Sequence, residues 1–499
     1  MHDDLGKSEA ALVAARRENL AALRSRSGDP FAQTRYPVDT HTHELLAEYE
    51  ILAPEEKAES KRWHLAGRLM SKRKMGKTIF ADLHDRTGKM QLYVRKDEIG
   101  EDRFADFNDM DRGDIVGVHG FVFRSKLGEL TLHVLDFVVL GKALAPLPDK
   151  WHGLQDVEKR YRQRYVDLIV NDDVRDTMIL RSRIISGMRR FIDAQGFYEV
   201  ETPTLLHVAG GAAARPFLTH VNALDEQLQL RIATELNLKR LIVGGMERVY
   251  EIGRIFRNEG IDTTHNPEFT MLELYCAYWD VHDMLAFNEA LMEHLALEIA
   301  GGSTDLTVGD RTISFARPFA RIGYLDGIAQ YSDGKYTRQR LLDPDGAAAI
   351  LRELGLPDSP THGHALDKIF EHVLEPHLIQ PTFVMDYPVL ISPLAKKKNG
   401  DPELVDRYEL FANCMELSNA FTELNDPDDQ RARFEAQIAE RAKGDAEIPE
   451  PDWDFVHALE YGMPPTAGIG IGIDRLVMLL TNQSSIRDVL LFPLQRSHG

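Results

Sequence analysis

A loop beginning at Arg257 carries side chains suited to binding a polyphosphate. Arg257, Glu259 and His265 supply donors and acceptors, and a guanidinium makes bidentate contacts with phosphate oxygens. If Phe269–Tyr275 is a strand, its alternate residues place Phe, Met, Glu and Tyr on one face. A buried Glu273 on that face needs a cation or a hydrogen-bond donor. The alternative is a pair of sheet strands held by structural ion pairs.

Glutamates recur at seven-residue intervals, at Glu409, Glu416 and Glu423. Mg²⁺ binds through one or two carboxylates together with substrate phosphate oxygens. Asn419 and Phe421 would share a strand face with Glu423, whereas Glu416 has the opposite parity. A β-bulge is therefore needed if Glu416 belongs to the same pocket. The alternative is a helix that carries solvated acids at a seven-residue repeat.

Glycines occupy every second position of Gly468–Gly472. A strand with this pattern has one face without side chains, against which a flat ring can lie. Arg475, at the start of the following helix, would add its guanidinium to the helix N-terminal field and hold phosphate. A dinucleotide-binding G-x-G-x-x-G does not fit, because its third glycine would fall at Ile473. Tight packing of the strand is the remaining alternative.

Charge is unevenly distributed along the chain. The 499 residues carry a net charge of −20, which at face value argues against a nucleic-acid partner. Between Lys61 and Lys96, however, eleven Lys and Arg accompany two Asp, so this window is +9 and the remainder −29. Alternation places Phe80, Gln91 and Tyr93 on one face with basic residues, which suits the stacking of unpaired bases. A solvated charged face is the equally supported alternative.

Hydrophobic periodicity predicts an α+β protein with an N-terminal helical extension over 1–60, whose first helix Ser8 can cap. Residues 61–144 form the five-stranded OB-type barrel, with one helix between the third and fourth strands. Residues 145–163 are a hinge. An antiparallel sheet domain follows over 164–499, in which about 285–380 is mostly helical. The strands predicted for the barrel are His64–Met70, Thr78–Asp85, Lys89–Arg95, Ile115–Phe123 and Leu130–Leu140.

Composition predicts a cytoplasmic protein that does not bind membranes. No apolar run approaches the roughly 18 residues that a membrane helix needs, and the Met1–Asp4 start lacks the order of a secretory signal. Cys276 and Cys414 are too few for a disulfide framework, which agrees with a reducing compartment.

Taken together, these motifs resemble class II aminoacyl-tRNA synthetases, and among them the lysine-specific enzymes of bacterial type. The resemblance covers residues from about 60 to 494. Segments similar to the three class motifs are Gly196–Pro203 at the dimer interface, Arg257–Glu259 with His265–Tyr275, and Gly468–Arg475. Segments similar to the lysine enzymes are Trp151–Leu154, Gly210–Phe217, Ala233–Leu236 and Glu416–Asn425. Asn413–Met415 departs from the family, which often has a glycine-containing turn there.

The resemblance implies that the L-lysine carboxylate attacks the α-phosphorus of ATP and that the lysyl group then passes to the 3′-terminal adenosine of tRNA(Lys). The implied ATP-binding residues are Arg257, Glu259, His265, Asn266, Phe269, Glu409 and Arg475, of which Arg257 and Arg475 are catalytic. The implied lysine-binding residues are Glu235, Arg257, Glu273, Tyr275, Asn419, Phe421 and Glu423. Glu409 and Glu416 would bind Mg²⁺, with more than one ion per subunit. Arg68, Phe80, Gln91 and Glu129 would read the anticodon.

The resemblance further implies a homodimer without a DNA partner. Two other functions stay open. An aspartate- or asparagine-type enzyme of the same class would have a different side-chain pocket, because an acidic substrate requires a cationic one. A non-catalytic RNA-binding relative would have lost part of the set Arg257, Glu416 and Arg475, which is intact here.

Overall fold

The computed structural model describes residues 9–148, 154–441 and 450–496. The chain divides into two compact units between Gln155 and Asp156. Ser8 and residues 151–153 of the motif Trp151–Leu154 lie outside the described residues. In the described part, none of the helices combines the length and apolar character needed to cross a membrane.

The first unit is a closed five-stranded barrel with helices at its N-terminal side and between two strands. The strand order is β1-β2-β3-β5-β4, with β3 and β5 parallel. This is the predicted OB strand topology, and β1 extends past the predicted end at Met70. Two short helices separated by Gly100 lie between β3 and β4 in place of the one predicted helix, because Gly100 has a positive φ of 85°. The elements are α1 (Glu9–Ser27), α2 (Thr42–Glu48), β1 (Trp63–Met75), β2 (Thr78–His84), β3 (Lys89–Arg95), α3 (Lys96–Ile99), α4 (Glu101–Asn108), β4 (Ile115–Arg124) and β5 (Leu130–Gly141).

Alternation along the barrel strands separates an apolar interior from a polar surface. Leu83, Met90 and Leu92 point inward and are buried, as the period-two pattern predicts. The predicted turn between β2 and β3 is fixed by Asp85, whose Oδ1 accepts hydrogen bonds from the backbone N–H groups of Thr87 and Gly88, at 2.7 and 2.9 Å. The register between β2 and β3 therefore follows from the sequence.

Helix α1 is docked on the first unit. The Arg16 guanidinium donates to the carbonyls of Ala143 and Ala145, at 2.7 and 2.9 Å. Arg26 binds the carboxylates of Asp106 and Asp109, at 2.7 and 2.6 Å. The helix is therefore an integral part of the first unit.

The second unit is built on an eight-stranded sheet. Its elements up to β14 are α5 (Val157–Arg162), α6 (Arg164–Val170), α7 (Asp172–Ala194), β6 (Tyr198–Glu199), β7 (Leu205–Leu206), β8 (Leu218–Val221), β9 (Glu226–Leu230), α8 (Glu235–Val243), β10 (Arg248–Phe256), β11 (Glu268–Ala277), α9 (Val281–Ile299), β12 (Asp305–Val308), β13 (Arg311–Ser314) and β14 (Ala320–Gly323). The elements that follow are α10 (Tyr324–Tyr331), α11 (Arg338–Leu342), α12 (Pro344–Glu353), α13 (His362–Val373), β15 (Thr382–Met385), β16 (Lys397–Lys398), β17 (Asp401–Val405), β18 (Arg407–Ala412), β19 (Met415–Thr422), α14 (Pro427–Arg441), α15 (Trp453–Glu460), β20 (Thr466–Gly472) and α16 (Ile473–Leu480).

The strand order of the large sheet is β14-β15-β18-β19-β20-β11-β10-β6. Neighbouring strands are antiparallel from β15 to β10, and only the outer pairs β14–β15 and β10–β6 are parallel. The antiparallel prediction is therefore confirmed for the strands that carry the predicted motifs. One face packs Leu272, Leu274, Ile469 and Ile471 into the core formed with α7, α9 and α16.

The region 285–380 differs in part from the mostly helical prediction. It contains α10–α13 and most of α9, but also the short strands β12, β13 and β14. Each of these strands has four residues, which is too short for alternation to distinguish a strand from a loop.

Candidate active site and nucleic-acid interface

The face of the large sheet opposite the core borders a cavity of about 350 Å³. As predicted, Phe269, Met271, Glu273 and Tyr275 on β11 line it, and so do Gly468, Gly470 and Gly472 on β20. The predicted ATP-, lysine- and Mg²⁺-binding residues among its lining are Glu235, Arg257, Glu259, His265, Asn266, Phe269, Glu273, Tyr275, Glu416, Asn419, Phe421 and Arg475. Two predicted residues, Glu423 and Glu409, do not line this cavity.

One end of the cavity is acidic. Glu273 Oε1 accepts a hydrogen bond from the backbone N–H of Thr234 at 3.0 Å, and the Tyr275 hydroxyl donates to Glu273 Oε2 at 3.4 Å. Glu423 is completely buried behind Gly468. A Cβ atom at Gly468 would collide with the Glu423 carboxylate and the Tyr275 ring, so only glycine leaves both groups in reach of the cavity.

Burial changes the protonation of these acids. It raises the pKa of Glu273 to about 7, helped by the nearby Glu235 carboxylate. Burial also raises the pKa of Glu423 well above its usual range, although Lys239 opposes this shift. An incoming cation would lower the pKa of both carboxyl groups, because a nearby positive charge stabilises their ionised form.

The opposite end of the cavity is lined with arginines. The Arg257 Nε donates to the carbonyl of Ile232 at 3.3 Å, and its guanidinium lies 5.2 Å from the centre of the Phe269 ring. The Arg475 guanidinium contacts Glu416 Oε2 and His265 Nε2, both at 3.1 Å. Two guanidinium groups near an aromatic ring have the chemistry suited to a nucleotide and its phosphates.

A β-bulge on β19 brings Glu416 to the cavity. The register with β18 pairs Leu410 with Ser418 but Phe411 with Glu416, so Leu417 is the extra residue. Glu416 and Asn419 consequently line the same cavity despite their opposite parity. The predicted requirement for a bulge is met. The turn before β19 places Asn413 and Cys414 in the left-handed region without a glycine, at φ of 52° and 57°.

Glu409 lies in an adjoining cavity that Glu416, His265 and Arg475 also line. Its Oε1 accepts from Arg407 at 2.6 Å and its Oε2 from Tyr387 at 2.7 Å. Burial raises the pKa of Glu409 to about 7. Arg407 also donates to Asn419 Oδ1 at 3.0 Å. It therefore links Glu409, which is predicted to bind Mg²⁺, with Asn419, which is predicted to bind lysine.

The donor set near Glu409 is compatible with Mg²⁺ only in the presence of a phosphate ligand. Among the described residues, no group of three or more His, Cys, Asp or Glu side chains is arranged around a common metal position. Two carboxylates that face a shared space, with arginines nearby, match the usual Mg²⁺ site, in which phosphate oxygens and water supply the other ligands.

The barrel surface carries an aromatic group around Phe80. Its ring centre lies 5.1 Å from that of Tyr93, which also contacts Phe123 and His133. Next to it, the Gln91 amide donates to Glu129 Oε2 at 2.6 Å. The structure therefore places Phe80, Gln91 and Glu129 on one surface.

The structure places Arg68 apart from Phe80 and identifies Arg73 as its neighbour. Arg68 pairs with His84 in the β1–β2 register and donates to the carbonyl of Gly113 at 2.7 Å. Arg73 pairs directly with Phe80, and its exposed side chain has no ion-pair partner in the described part of the chain. A bulge after Leu69 shifts the register, which simple alternation along β1 does not reveal.

Comparison with known proteins agrees with both units. The family model "tRNA synthetases class II (D, K and N)" matches residues 156–496, and the model "OB-fold nucleic acid binding domain" matches residues 63–140. The chain therefore belongs to the class II tRNA synthetases of this group.

Curated relatives named lysine–tRNA ligase are similar over nearly the whole chain. The Halalkalibacterium halodurans protein is 51% identical over 99% of this chain and 98% of its own length. The Staphylococcus saprophyticus protein is 52% identical, with coverage of 96% and 97%. The Bacillus subtilis protein is 52% identical, with 96% of each chain covered.

Proposed function

We propose that this protein is a lysine–tRNA ligase, which activates L-lysine with ATP and transfers the lysyl group to tRNA(Lys). The observation that carries the proposal is a cavity lined by buried Glu273 and Tyr275 and by Arg257, with Glu423 buried behind Gly468. An amino acid with a cationic side chain fits this polarity. The curated relatives support the same substrate.

Activation in this site needs no general base, because the lysine carboxylate is already a nucleophile. Arg257 would hold that carboxylate beside the α-phosphate of ATP, and Arg475 would bind the γ-phosphate. The reaction then depends on alignment and on neutralising charge at phosphorus. The bond from the α-phosphorus to the bridging oxygen breaks as the carboxylate attacks, and pyrophosphate leaves.

We further propose that Glu409 and Glu416 hold Mg²⁺, with more than one ion per subunit. When bound, the metal would neutralise phosphate charge. Tyr387 and Arg407 orient the Glu409 carboxylate, and the bulge at Leu417 orients Glu416.

Discrimination follows from the charge of the cavity. Glu235 would bind the α-ammonium group of lysine, and Glu423 with Tyr275 the ε-ammonium group. The side chain of aspartate or asparagine would bring no ammonium group to Glu423 and Tyr275, so the negative charge of the pocket would not be balanced, which is costly.

Pyrophosphate exchange with each candidate amino acid tests the proposal. We expect lysine-dependent incorporation of labelled pyrophosphate into ATP, and none with aspartate or asparagine. Charging of tRNA(Lys) in the same preparation separates a ligase from an enzyme that only forms an adenylate. Exchange with aspartate in place of lysine would contradict the assignment.

Lysine affinity is expected to increase as the pH rises through about 7. Burial holds the pKa of Glu273 at about 7, and a bound ammonium group would lower it. Lysine binding below that pH must therefore release a proton, so the affinity falls by up to about tenfold per pH unit there and levels off above it. Calorimetric titration with lysine between about pH 6 and 8 measures this, and a constant Kd would contradict it.

The surface around Phe80 is proposed to bind the anticodon, with Gln91 and Glu129 reading base edges. Arg73 extends this set, because it lies opposite Phe80 and faces solvent. Arg68 is also basic, but its hydrogen bond to the carbonyl of Gly113 supports a role in stabilising the barrel and not in binding the anticodon.

Replacing Phe80 with alanine is expected to raise the KM for tRNA about tenfold while lysine-dependent exchange stays unchanged. The reason is the loss of a stacking surface, worth about 1–3 kcal/mol per base. Phe31→Ala, which removes an exposed aromatic side chain elsewhere in the same unit, is the control. An equal fall in both reactions would show that Phe80 does not act through tRNA.

A homodimer is the proposed assembly. Exposed apolar side chains of the second unit are available for such an interface, among them Tyr165, Ile179, Tyr198, Phe492 and Leu494. Sedimentation equilibrium tests it. We place the protein in the cytoplasm, and Cys276 and Cys414 form no disulfide.

A further inference from the structure

Lys239 is a completely buried lysine behind the proposed lysine pocket. It lies on α8, one turn after Glu235, and its Nζ is 2.5 Å from Glu235 Oε1. The same ammonium group forms an ion pair with Glu423. Lys239 therefore connects the two carboxylates that we assign to the α- and ε-ammonium groups of the substrate.

The surroundings of Lys239 are otherwise apolar. The ring centres of Phe421 and Phe455 lie 5.4 and 5.7 Å from its Nζ. Burial alone would lower the pKa of this lysine, but Glu235 and Glu423 together raise it above its usual value. The side chain thus stays charged because both carboxylates are present.

The charged groups around Lys239 define the charge of the pocket. Glu423 directly follows β19, and Glu273 and Tyr275 on β11 lie near its carboxylate. The adjacent Arg240 is paired with Asp452 and Asp454, at 2.9 and 3.0 Å. With Glu235, Glu273 and Glu423 ionised, Lys239 reduces the charge from −3 to −2, which the two ammonium groups of L-lysine balance.

We propose that Lys239 is a positioning residue for lysine recognition: it holds Glu235 and Glu423 in place and sets the pocket charge to that of one diammonium ligand. The inference rests on the proposed function. Without this cation, two buried carboxylates would repel each other, and one would take up a proton at neutral pH instead of binding substrate.

The test compares wild type, Lys239→Met and Lys239→Arg in lysine-dependent pyrophosphate exchange across a pH series. We expect Lys239→Met to lower kcat/KM for lysine about 100-fold near neutral pH and to move the midpoint of its pH profile up by about one unit or more, while the KM for ATP changes less than about twofold. Lys239→Arg retains the charge and should keep the midpoint. Lys335→Met, at an exposed lysine, is the control for the substitution itself.

Two results would overturn the inference: an unchanged lysine profile in Lys239→Met, or an equal loss at every pH, as a merely structural residue would give. If Lys239→Met does not fold, Lys239→Arg decides the question. A shift of about one pH unit in the midpoint of its lysine profile, although the charge is retained, would refute the proposal. A wild-type protein without lysine-dependent exchange would refute the proposed function, and this inference with it. Active wild type with an unaltered Met variant would refute the inference alone.

Discussion

Replacing Glu423 with glutamine is expected to reduce lysine-dependent pyrophosphate exchange about 1,000-fold. Glu423 is completely buried, and the ε-ammonium group of lysine would enter the cavity without its counter-ion. A cation that loses a charged partner in a dry site is penalised by about 3–5 kcal/mol. The KM for ATP should stay within about twofold, because the arginines that we assign to ATP lie at the other end of the cavity.

The control for this substitution is Glu435→Gln, an exposed glutamate on α14. It should leave exchange unchanged. Lysine kinetics that persist in Glu423→Gln would refute the assignment of the ε-ammonium site, whereas loss of ATP binding as well would indicate a general disturbance of the sheet.

The substitution Gly468→Ala is expected to weaken lysine binding at least about 100-fold. The new Cβ would meet the Glu423 carboxylate and the Tyr275 ring, whose Cδ1 would be 2.7 Å away. Both groups would have to move away from the space that the ε-ammonium group takes. Calorimetric titration with lysine measures the loss directly, and ATP titration shows whether the rest of the cavity is intact.

Gly472→Ala is the matched comparison, since it lies on the same face of β20. The nearest atoms to a Cβ there are 4.0 Å away, so the lysine Kd should change less than about threefold. Equal effects of the two substitutions would mean that strand flexibility, and not the space beside Glu423, is responsible.

Alternation in the sequence is sufficient to predict much of the site. The faces of β11 and β20 follow from period two, because the two strands pair without a register shift and are buried on one side by the core. The strands of the barrel could be predicted for the same reason, because they also have one buried face. The need for a bulge before Asn419 also follows from parity alone, although its position at Leu417 requires the strand pairing.

Contacts between distant segments could not be predicted in this way. Lys239 reads as an ordinary helix residue, and only the approach of Glu423, far along the chain, gives it a role. Arg407 similarly depends on Tyr387 and Asn419. A signal for Lys239 is present in its spacing of four from Glu235, which puts both on one helix face, but a solvated ion pair has the same spacing.

The bulge at Leu417 makes the spacing between Glu416 and Asn419 as important as the residue types. If the full-length β19 paired with β18 without a bulge, Glu416 would turn to the face that packs against α9 and leave the cavity. Deleting Leu417 would restore regular pairing and still keep Glu416 on the cavity face, two positions from Asn419. The strand can therefore lose its extra residue, but it cannot keep that residue in regular pairing and still bring both side chains to the cavity.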